Sequence, residues 1–506
     1  MRVQRSLSAS LGRWRAKLLT IIHRHSSTRR PKMDAIGSVR HDAAALCRFI
    51  DQVAARCTIA ASPSYTGPSE EFFKYISALG EATKDHLMGF VASLDPTRVQ
   101  TDTDAFYIEA QQIRNLRLSW FELHRLIKPA LDADTLEIPN TLIDALTDRL
   151  RQIIGFTGAR LAVIHTTALN YYQVTSGYIQ QLASEIGGIV NNPPQFPHDL
   201  GIVAIPYSQS SSLFLNTALA HEMGHYAFGK RDQRTALHTP VVDALSKNKN
   251  IGQLNTKPGS LDIPLCIDTC IRWLEEIYCD LFALFLVGPC FSLSYIELFA
   301  LSRVTRAILT GSKPSSVYSL LGFSDTHPAH ALRLREHVAF MSRPAIGWWP
   351  EIQGSTSEHV SLMQDSIALP NTAFSLDPQF DSPVCRIALE VFLEVLPQVH
   401  SAIENTFVGV PTDVEIFHQQ KVLIQKYLGY GVVPSRIVDG PNVWAPSAVA
   451  LLNAVHLFYL DEFDILLERI EKSNPKCRAS QCLVCRSLWT QRLEMWTTKA
   501  LEDIKT

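Results

Sequence analysis

The sequence predicts a mostly α-helical protein with a small α+β domain at its centre. Apolar residues recur at three- and four-residue steps over most of the chain, as they do on the buried face of a helix. Two short apolar segments, Arg160–Thr166 and Gly201–Tyr207, break this pattern and are bounded by polar residues, Pro or Gly, which is typical of β-strands. An apolar fraction of 46% over 506 residues provides enough buried surface to exclude a wholly disordered chain.

Charge and cysteine content narrow the class of protein. With 47 basic and 49 acidic residues the net charge is −2, so we expect no nucleic-acid partner. The 10 cysteines are scattered, and several lie in apolar runs, which favours free thiols in a reducing compartment such as the cytoplasm. The longest apolar run, Leu281 to Ile296, contains Gly288-Pro289 and predicts a pair of buried helices rather than a transmembrane segment.

Residues 1–33 differ in composition from the rest and are predicted to form a basic N-terminal arm. They contain nine Lys or Arg residues, and no acidic residue occurs before Asp34. Apolar residues between Leu7 and Ile22 fall at helical spacing, so the arm suits peripheral contact with a membrane surface or targeting to an organelle. The alternative is a flexible basic tail, or a stretch upstream of a natural start at Met33.

Three further segments follow the arm. Residues 34–155 are predicted to form a helical region, residues 156–343 the central α+β domain, and residues 344–506 a second helical region. Within the last region, the stretch from Gly347 to Asp381 is rich in Trp, Pro and Ser and is predicted as a linker or loop-rich layer. The helices that the periodicity predicts in the two helical regions are Phe72–Leu94, Asp104–Ile127, Thr141–Ile154, Cys385–Glu404, Thr412–Leu428, Ser447–Ile470 and Leu488–Ile504.

A chemical motif lies in the central domain, at His221-Glu222-Met223-Gly224-His225. Two histidines four residues apart lie about 40° apart around a helix, so both imidazoles project from one face and can bind a single zinc ion. Glu222 lies beside them and can reach a water molecule that the metal activates, which is the position of a general base. The surrounding residues are apolar on all sides, so the sequence predicts a buried helix whose polar groups need partners.

A second apolar helix, predicted over residues 264–289, supplies candidates for a third ligand. Glu276 is the predicted third ligand, and Asp280, one turn later on the same face, is expected to accept the free N–H of a ligand histidine. The alternative interpretation is structural: Glu275 faces solvent and Arg272 forms a helix ion pair with Glu276.

Together, His-Glu-x-x-His on one helix and Glu-x-x-x-Asp on a later one resemble the gluzincin zinc metallopeptidases. Gly224 and the apolar run after Asp280 are most similar to the CAAX-processing and heat-shock membrane protease group, although this chain lacks the transmembrane helices of that group. The downstream run from Asp325 to Arg333 contains a Thr-His-Pro sequence similar to one in the same group. The resemblance implies a zincin-like central domain, with His327 as an oxyanion donor or ligand partner and Arg333 holding an acidic group. Without it, His327 before Pro is an ordinary helix-start residue.

The predicted function is zinc-dependent hydrolysis of a peptide bond in a peptide or protein substrate. Two alternatives remain open: a metal-binding scaffold with helical flanks for protein partners and little turnover, and a zinc-dependent hydrolase of non-peptide amides. The strand Ile202–Tyr207 is expected to pair with an extended substrate at a sheet edge.

A further group of metal-ligand residues near the C-terminus is given less weight. Cys477, Cys482 and Cys485 have part of the spacing of a zinc knuckle. No fourth ligand follows them nearby, with His456 or a distant cysteine as the remaining alternatives, so we predict no structural zinc there.

Overall fold

The computed structural model describes residues 33–61, 68–94, 103–132, 140–155, 160–166, 172–174, 176–197, 200–206, 212–255, 260–298, 321–407, 410, 412–439, 441–473 and 483–505. These residues are mostly helical, as the sequence predicts. The basic arm lies outside them except for Met33, and so do Cys477, Cys482 and the side chain of Cys485.

Seven short strands lie among longer helices in the part of the chain that the structure describes. The helices are α1 (Met33–Ala61), α2 (Pro68–Ser93), α3 (Thr103–Asp132), α4 (Asn140–Ile154), α5 (Ser176–Gly187), α6 (Leu219–Lys230), α7 (Gln233–Lys247), α8 (Asp262–Val287), α9 (His330–Met341), α10 (Trp349–Ile352), α11 (Glu358–Ile367), α12 (Pro383–Thr406), α13 (Val414–Gly429), α14 (Ala448–Asp461), α15 (Phe463–Ser473) and α16 (Leu483–Lys505). The strands are β1 (Arg160–Thr166), β2 (Tyr172–Val174), β3 (Leu200–Pro206), β4 (Gly322–Phe323), β5 (Ser375–Leu376), β6 (Ile437–Asp439) and β7 (Asn442–Trp444). Residues 290–298 are also helical.

The described residues group into two compact units. The first draws on Met1–Ser62, Phe73–Leu126 and Ile179–Phe196, and the second on Pro63–Phe72, Ile127–Tyr178 and Pro197–Thr506. These divisions fall at other positions than the predicted segment boundaries at residues 155 and 343. Every residue of the predicted chemical motifs belongs to the second unit.

The first unit is held together by contacts between α1, α2 and α3. The rings of Phe49 and Phe121 stack with centroids 4.5 Å apart and join α1 to α3. The indole N–H of Trp120 donates to Thr83 Oγ1 at 3.3 Å and joins α3 to α2. A Cβ atom at Gly80 would lie only 3.1 Å from Ile50 Cγ2, so glycine allows α2 to approach α1 closely.

The second unit is built around α8, whose side chains are almost all buried from Thr269 to Val287. A helix that is apolar all round must be covered on all sides, and α8 packs chiefly against α6 and α12. The indole N–H of Trp273 donates to the carbonyl of Ser324 at 3.0 Å, which ties α8 to the loop before α9. The predicted second helix of the motif is therefore confirmed, and it lies at the centre of this unit.

A three-stranded sheet lies beside α6, with the order β1–β3–β2. β1 is parallel to β3, with Arg160 opposite Leu200, and β2 is antiparallel to β3, with Tyr172 opposite Ala204. β3 is paired with a strand on each side, and all seven of its residues are buried. The expectation that Ile202–Tyr207 binds substrate at a sheet edge is therefore wrong, because the backbone groups of this strand are already used by its neighbours.

The apolar run from Leu281 to Ile296 forms two consecutive helices, as predicted. α8 ends before Gly288, which has a φ of 73°. This left-handed conformation is costly for residues with a side chain, so glycine suits the position that ends the helix. The buried amide of Asn453 satisfies the break: its Nδ2 donates to Val287 O, and its Oδ1 accepts from the backbone N–H of Cys290, both at 2.7 Å. None of the helices described in the structure is long and apolar enough to cross a membrane.

Two predictions about the C-terminal region need correction. The helix predicted over Ser447–Ile470 is divided into α14 and α15 at Glu462. The stretch from Gly347 to Asp381 is not merely a loop-rich layer, since it contains α10, α11 and β5. α11 is short and its N-terminus is capped by Ser357, whose Oγ accepts the backbone N–H of Val360 at 3.4 Å. A helix of ten residues offers too few turns for its periodicity to stand out.

Candidate metal centre

The site lies between α6 and α8, which run in opposite directions. Residues later in α6 face residues earlier in α8: His221 contacts Asp280, and His225 contacts Glu275. Gly224 sets the separation of the two helices, because a Cβ atom there would lie 2.7 Å from Cys279 Cα. Glycine in the motif is thus needed for close backbone approach, which brings polar side chains of both helices together.

The three predicted ligands meet at this interface. One ligand atom from each of His221, His225 and Glu276 lies within 4.8 Å of the others. The Nε2 atom of His221 is 3.5 Å from Glu276 Oε2, and that of His225 is 3.7 Å from Glu276 Oε1. Ligands about 2.0–2.1 Å from one tetrahedral zinc ion are separated by about 3.3–3.5 Å. The two distances here end on different oxygens of Glu276, so small side-chain movements would bring one atom of each residue within reach of a shared ion. These three residues can hold a metal ion.

On the His221 side, the ligand ring is held by a buried ionic network. Nδ1 of His221 lies 2.8 Å from Asp280 Oδ1, as the sequence predicts. The guanidinium of Arg333 donates to both oxygens of Asp280, at 2.6 and 2.7 Å, and His337 Nε2 lies 3.1 Å from Oδ2. Asp280 is fully buried. Burial raises the pKa of Asp280, but the charge and hydrogen bonds of Arg333 outweigh it and hold this pKa well below its usual range.

On the His225 side, the partner is a residue that sequence reasoning missed. Nδ1 of His225 lies 2.9 Å from Glu275 Oε1. The alternative interpretation, with Glu275 facing solvent and Arg272 paired with Glu276, is wrong: Arg272 pairs with Asp268 at 3.4 Å. The spacing of these residues predicts the contact between His225 and Glu275 once α6 and α8 are known to be antiparallel. Because α6 and α8 are antiparallel, stepping one turn forward from His221 to His225 moves the facing position about one turn back along α8.

The carboxylates favour protonated histidines when no metal ion is bound. Burial lowers the pKa of His221, but the hydrogen bonds and charges of Asp280 and Glu276 outweigh it and raise this pKa to about 10. In the same way burial lowers the pKa of His225, and Glu275 and Glu276 raise it to about 9. Since only a neutral imidazole binds a metal, the ion must displace these protons, and metal binding releases them to solvent.

The two predicted catalytic residues, Glu222 and His327, belong to the same part of the molecule as the three predicted ligands. Glu222 is buried between the two histidines on α6, and its negative charge is among those that raise the pKa of His225. His327 approaches from the loop before α9, with Nε2 3.7 Å from Glu276 Oε1 and Nδ1 2.7 Å from Thr326 Oγ1. Its side chain is 53% exposed, so one side faces solvent.

His327 is not a helix-start residue, because α9 begins at His330. Its loop is fixed through Ser324, whose Oγ accepts the backbone N–H of His327 at 2.8 Å. The charge of Glu276 raises the pKa of His327, but burial and the positive charges of Arg333 and the two ligand histidines outweigh it, so this pKa is lowered. A neutral imidazole retains one N–H that can donate a hydrogen bond to a substrate.

Aromatic residues after Gly288 complete the site and were not singled out from the sequence. Phe291 lies parallel to His221 with ring centroids 6.1 Å apart. The guanidinium of Arg333 lies 4.8 Å from the ring centroid of Tyr295, whose hydroxyl is hydrogen-bonded to His330 Nδ1. Both aromatic residues belong to an apolar run, where an aromatic side chain by itself indicates only a core position.

The residues predicted from the motifs thus converge from α6, α8 and the segment 325–333. In comparisons with protein-family models, curated proteins and solved structures, the chain matches none. The sequence resemblance to gluzincin metallopeptidases is carried by His221, Glu222, His225 and Glu276.

Proposed function

We propose that the protein is a zinc-dependent peptide hydrolase. The observation that carries this proposal is the meeting of His221, His225 and Glu276 within 4.8 Å of one another, with Glu222 buried next to His221 in the sequence of α6. Two imidazoles and one carboxylate leave a fourth position of a tetrahedral ion free, which is typical of catalytic rather than structural zinc sites. Zinc bound there supplies Lewis acidity, polarising a carbonyl and lowering the pKa of water toward ~7.

The proposed reaction assigns proton transfers to Glu222. Its carboxylate takes a proton from the attacking water as the water oxygen bonds to the carbonyl carbon of the substrate. The same carboxyl group then gives this proton to the amide nitrogen, so that the C–N bond breaks and a free amine leaves. A buried carboxylate that is not one of the proposed ligands suits the role of a general base, because it can take up a proton from water and then pass it to the leaving amine.

His327 is proposed to stabilise the negative charge that develops on the carbonyl oxygen. Its half-exposed side chain lies next to the ligand Glu276 and beside the place where a substrate would enter from solvent. The hydrogen bond between its Nδ1 and Thr326 Oγ1 fixes the ring so that Nε2 points toward the site. Arg333 is proposed to act indirectly, by holding Asp280 and through it His221.

Replacing the proposed base tests the function. Glu222→Gln keeps the size of the side chain but cannot take up a proton, so hydrolysis of casein or a peptide library should fall about 10²–10⁴-fold. Zinc content should be unchanged, because Glu222 is not a ligand. A natural chain that binds zinc but hydrolyses no peptide would favour the metal-binding scaffold, or a non-peptide amidase if small amides are cleaved.

His327→Ala tests the oxyanion role separately. The expected result is a loss of about 10²–10³ in kcat with unchanged zinc content, which is the usual effect of removing one such donor. His418→Ala is the control, since His418 is a largely exposed histidine whose partner is Glu351. If His327→Ala raises KM and leaves kcat unchanged, His327 binds substrate but does not stabilise the transition state.

A further inference from the structure

A second cluster of metal-ligand residue types lies outside the site described above. It joins Glu297 of the helical residues 290–298, His359 of α11 and His456 of α14. The Oε1 atom of Glu297 is 3.6 Å from His456 Nε2 and 3.7 Å from His359 Nε2. Residues 295 and 297 point about 200° apart around a helix, so Tyr295 faces the first site while Glu297 faces away from it.

His456 is the anomaly in this cluster. It is fully buried, and both of its ring nitrogens are buried without a hydrogen-bond partner, whereas the other histidines with such an atom, His86, His337 and His400, have one each. One face of the ring is covered by Phe214, whose centroid lies 4.7 Å away. An unpaired buried polar group costs about 1–3 kcal/mol, so an imidazole with two such atoms needs an explanation such as a bound ion.

The geometry around Glu297 resembles that of the first site. Both clusters have two imidazoles and one carboxylate, and the N–O separations of 3.6 and 3.7 Å here match the 3.5 and 3.7 Å there. These distances are too long for hydrogen bonds. The ligand atoms of the second cluster do not all lie within 4.8 Å of one another, so its imidazoles must move closer to share an ion. His359 has 22% of its side chain exposed and has room to do so.

We propose that Glu297, His359 and His456 form a second metal site, for Zn²⁺ or a similar divalent ion that accepts imidazole and carboxylate ligands. The ion would provide the missing partner of His456 Nε2 and join three helices that are distant in sequence. With three protein ligands the ion keeps a fourth position free, as at the first site, and the partly exposed side chain of His359 gives access to it from solvent.

Metal counting on the full chain tests this proposal without any measurement of activity. The natural chain, dialysed against Zn²⁺ and then against metal-free buffer, should retain two zinc ions per chain. His359→Ala and His456→Ala should each retain one, and so should Glu276→Ala, which removes a ligand of the first site instead. If His456→Ala does not fold, His359→Ala decides, since that residue is partly exposed.

The matched control is His418→Ala, which removes an exposed histidine paired with Glu351 and should leave the count at two. Equal zinc content in the natural chain and in His359→Ala would overturn the second site. A loss of zinc in His418→Ala as well would show surface binding and would also overturn it. Failure of the proposed hydrolysis is a separate result, because the count depends on binding alone.

Discussion

The two ligand histidines of α6 are held in opposite ways. On one side, His221 bonds to Asp280, which is 0% exposed and is gripped by Arg333 and His337. On the other side, His225 bonds to Glu275, whose side chain is 23% exposed. Both carboxylates contact the Nδ1 atom of a proposed metal ligand, but only Asp280 belongs to a network of buried charges.

Because of this difference, we expect Asp280 and Glu275 to contribute unequally to the stability of the fold and to metal binding. Removing one member of a buried ion network leaves the others unpaired in an apolar interior, which is strongly destabilising. Removing a partly exposed carboxylate lets water replace it, at small cost to the fold. The Asp280 side should therefore be needed for both the structure and the metal, and the Glu275 side for the metal only.

The largest expected effect comes from Asp280→Ala. Arg333 would keep only its 3.4 Å contact with Glu276 Oε2, and buried His337 would lose the carboxylate beside its Nε2, so the free energy of unfolding of the metal-free chain should fall by about 3–5 kcal/mol. Denaturant unfolding in the presence of a chelator measures this. Zinc affinity should fall as well, because His221 loses the group that fixes its ring.

Asp148→Ala is the control for an exposed ion pair. Asp148 of α4 pairs with Arg151 at 2.9 Å, and the two side chains are 60% and 38% exposed, so its loss should cost about 1 kcal/mol or less. Equal destabilisation by the two variants would contradict the distinction between a buried network and a peripheral pair.

What the sequence predicted about the site follows from the geometry of single helices. The spacing of His221, Glu222 and His225 fixes their relative directions on any α-helix, and the spacing of Glu276 and Asp280 does the same on the next. The partner of His225 depends instead on how two helices pair, which no pattern within one of them fixes. No role at the site was therefore predicted for Glu275, and only the alternative interpretation placed it, facing solvent.

A pattern within one helix or strand does not fix its neighbours, and this limit also explains which parts of the fold the sequence predicted. β1 and β3 were predicted from their own apolar runs and flanking residues, which are local features. The neighbours of β3 are a non-local feature: β2 is three residues long, too short to show alternation, and its pairing is what places β3 at the centre of the sheet. The cluster at Glu297 escaped notice for the same reason, because its three members are distant in sequence.

The smallest effect, and the sharpest test of the comparison, is expected from Glu275→Gln. Glutamine keeps an acceptor oxygen near His225 Nδ1 but removes the charge that makes the ring a better ligand, so zinc should bind about 10–100-fold more weakly. The free energy of unfolding should be unchanged within about 0.5 kcal/mol, since the site is partly exposed. Competition with a chromophoric chelator measures the affinity. Glu276→Ala is the reference, because two histidines alone should lose the zinc ion of this site. Wild-type affinity in Glu275→Gln and Glu275→Ala would show that the bond to His225 is incidental. A loss in Glu275→Ala as complete as in Glu276→Ala would make Glu275 a ligand, and the two sides of the site would no longer differ as described.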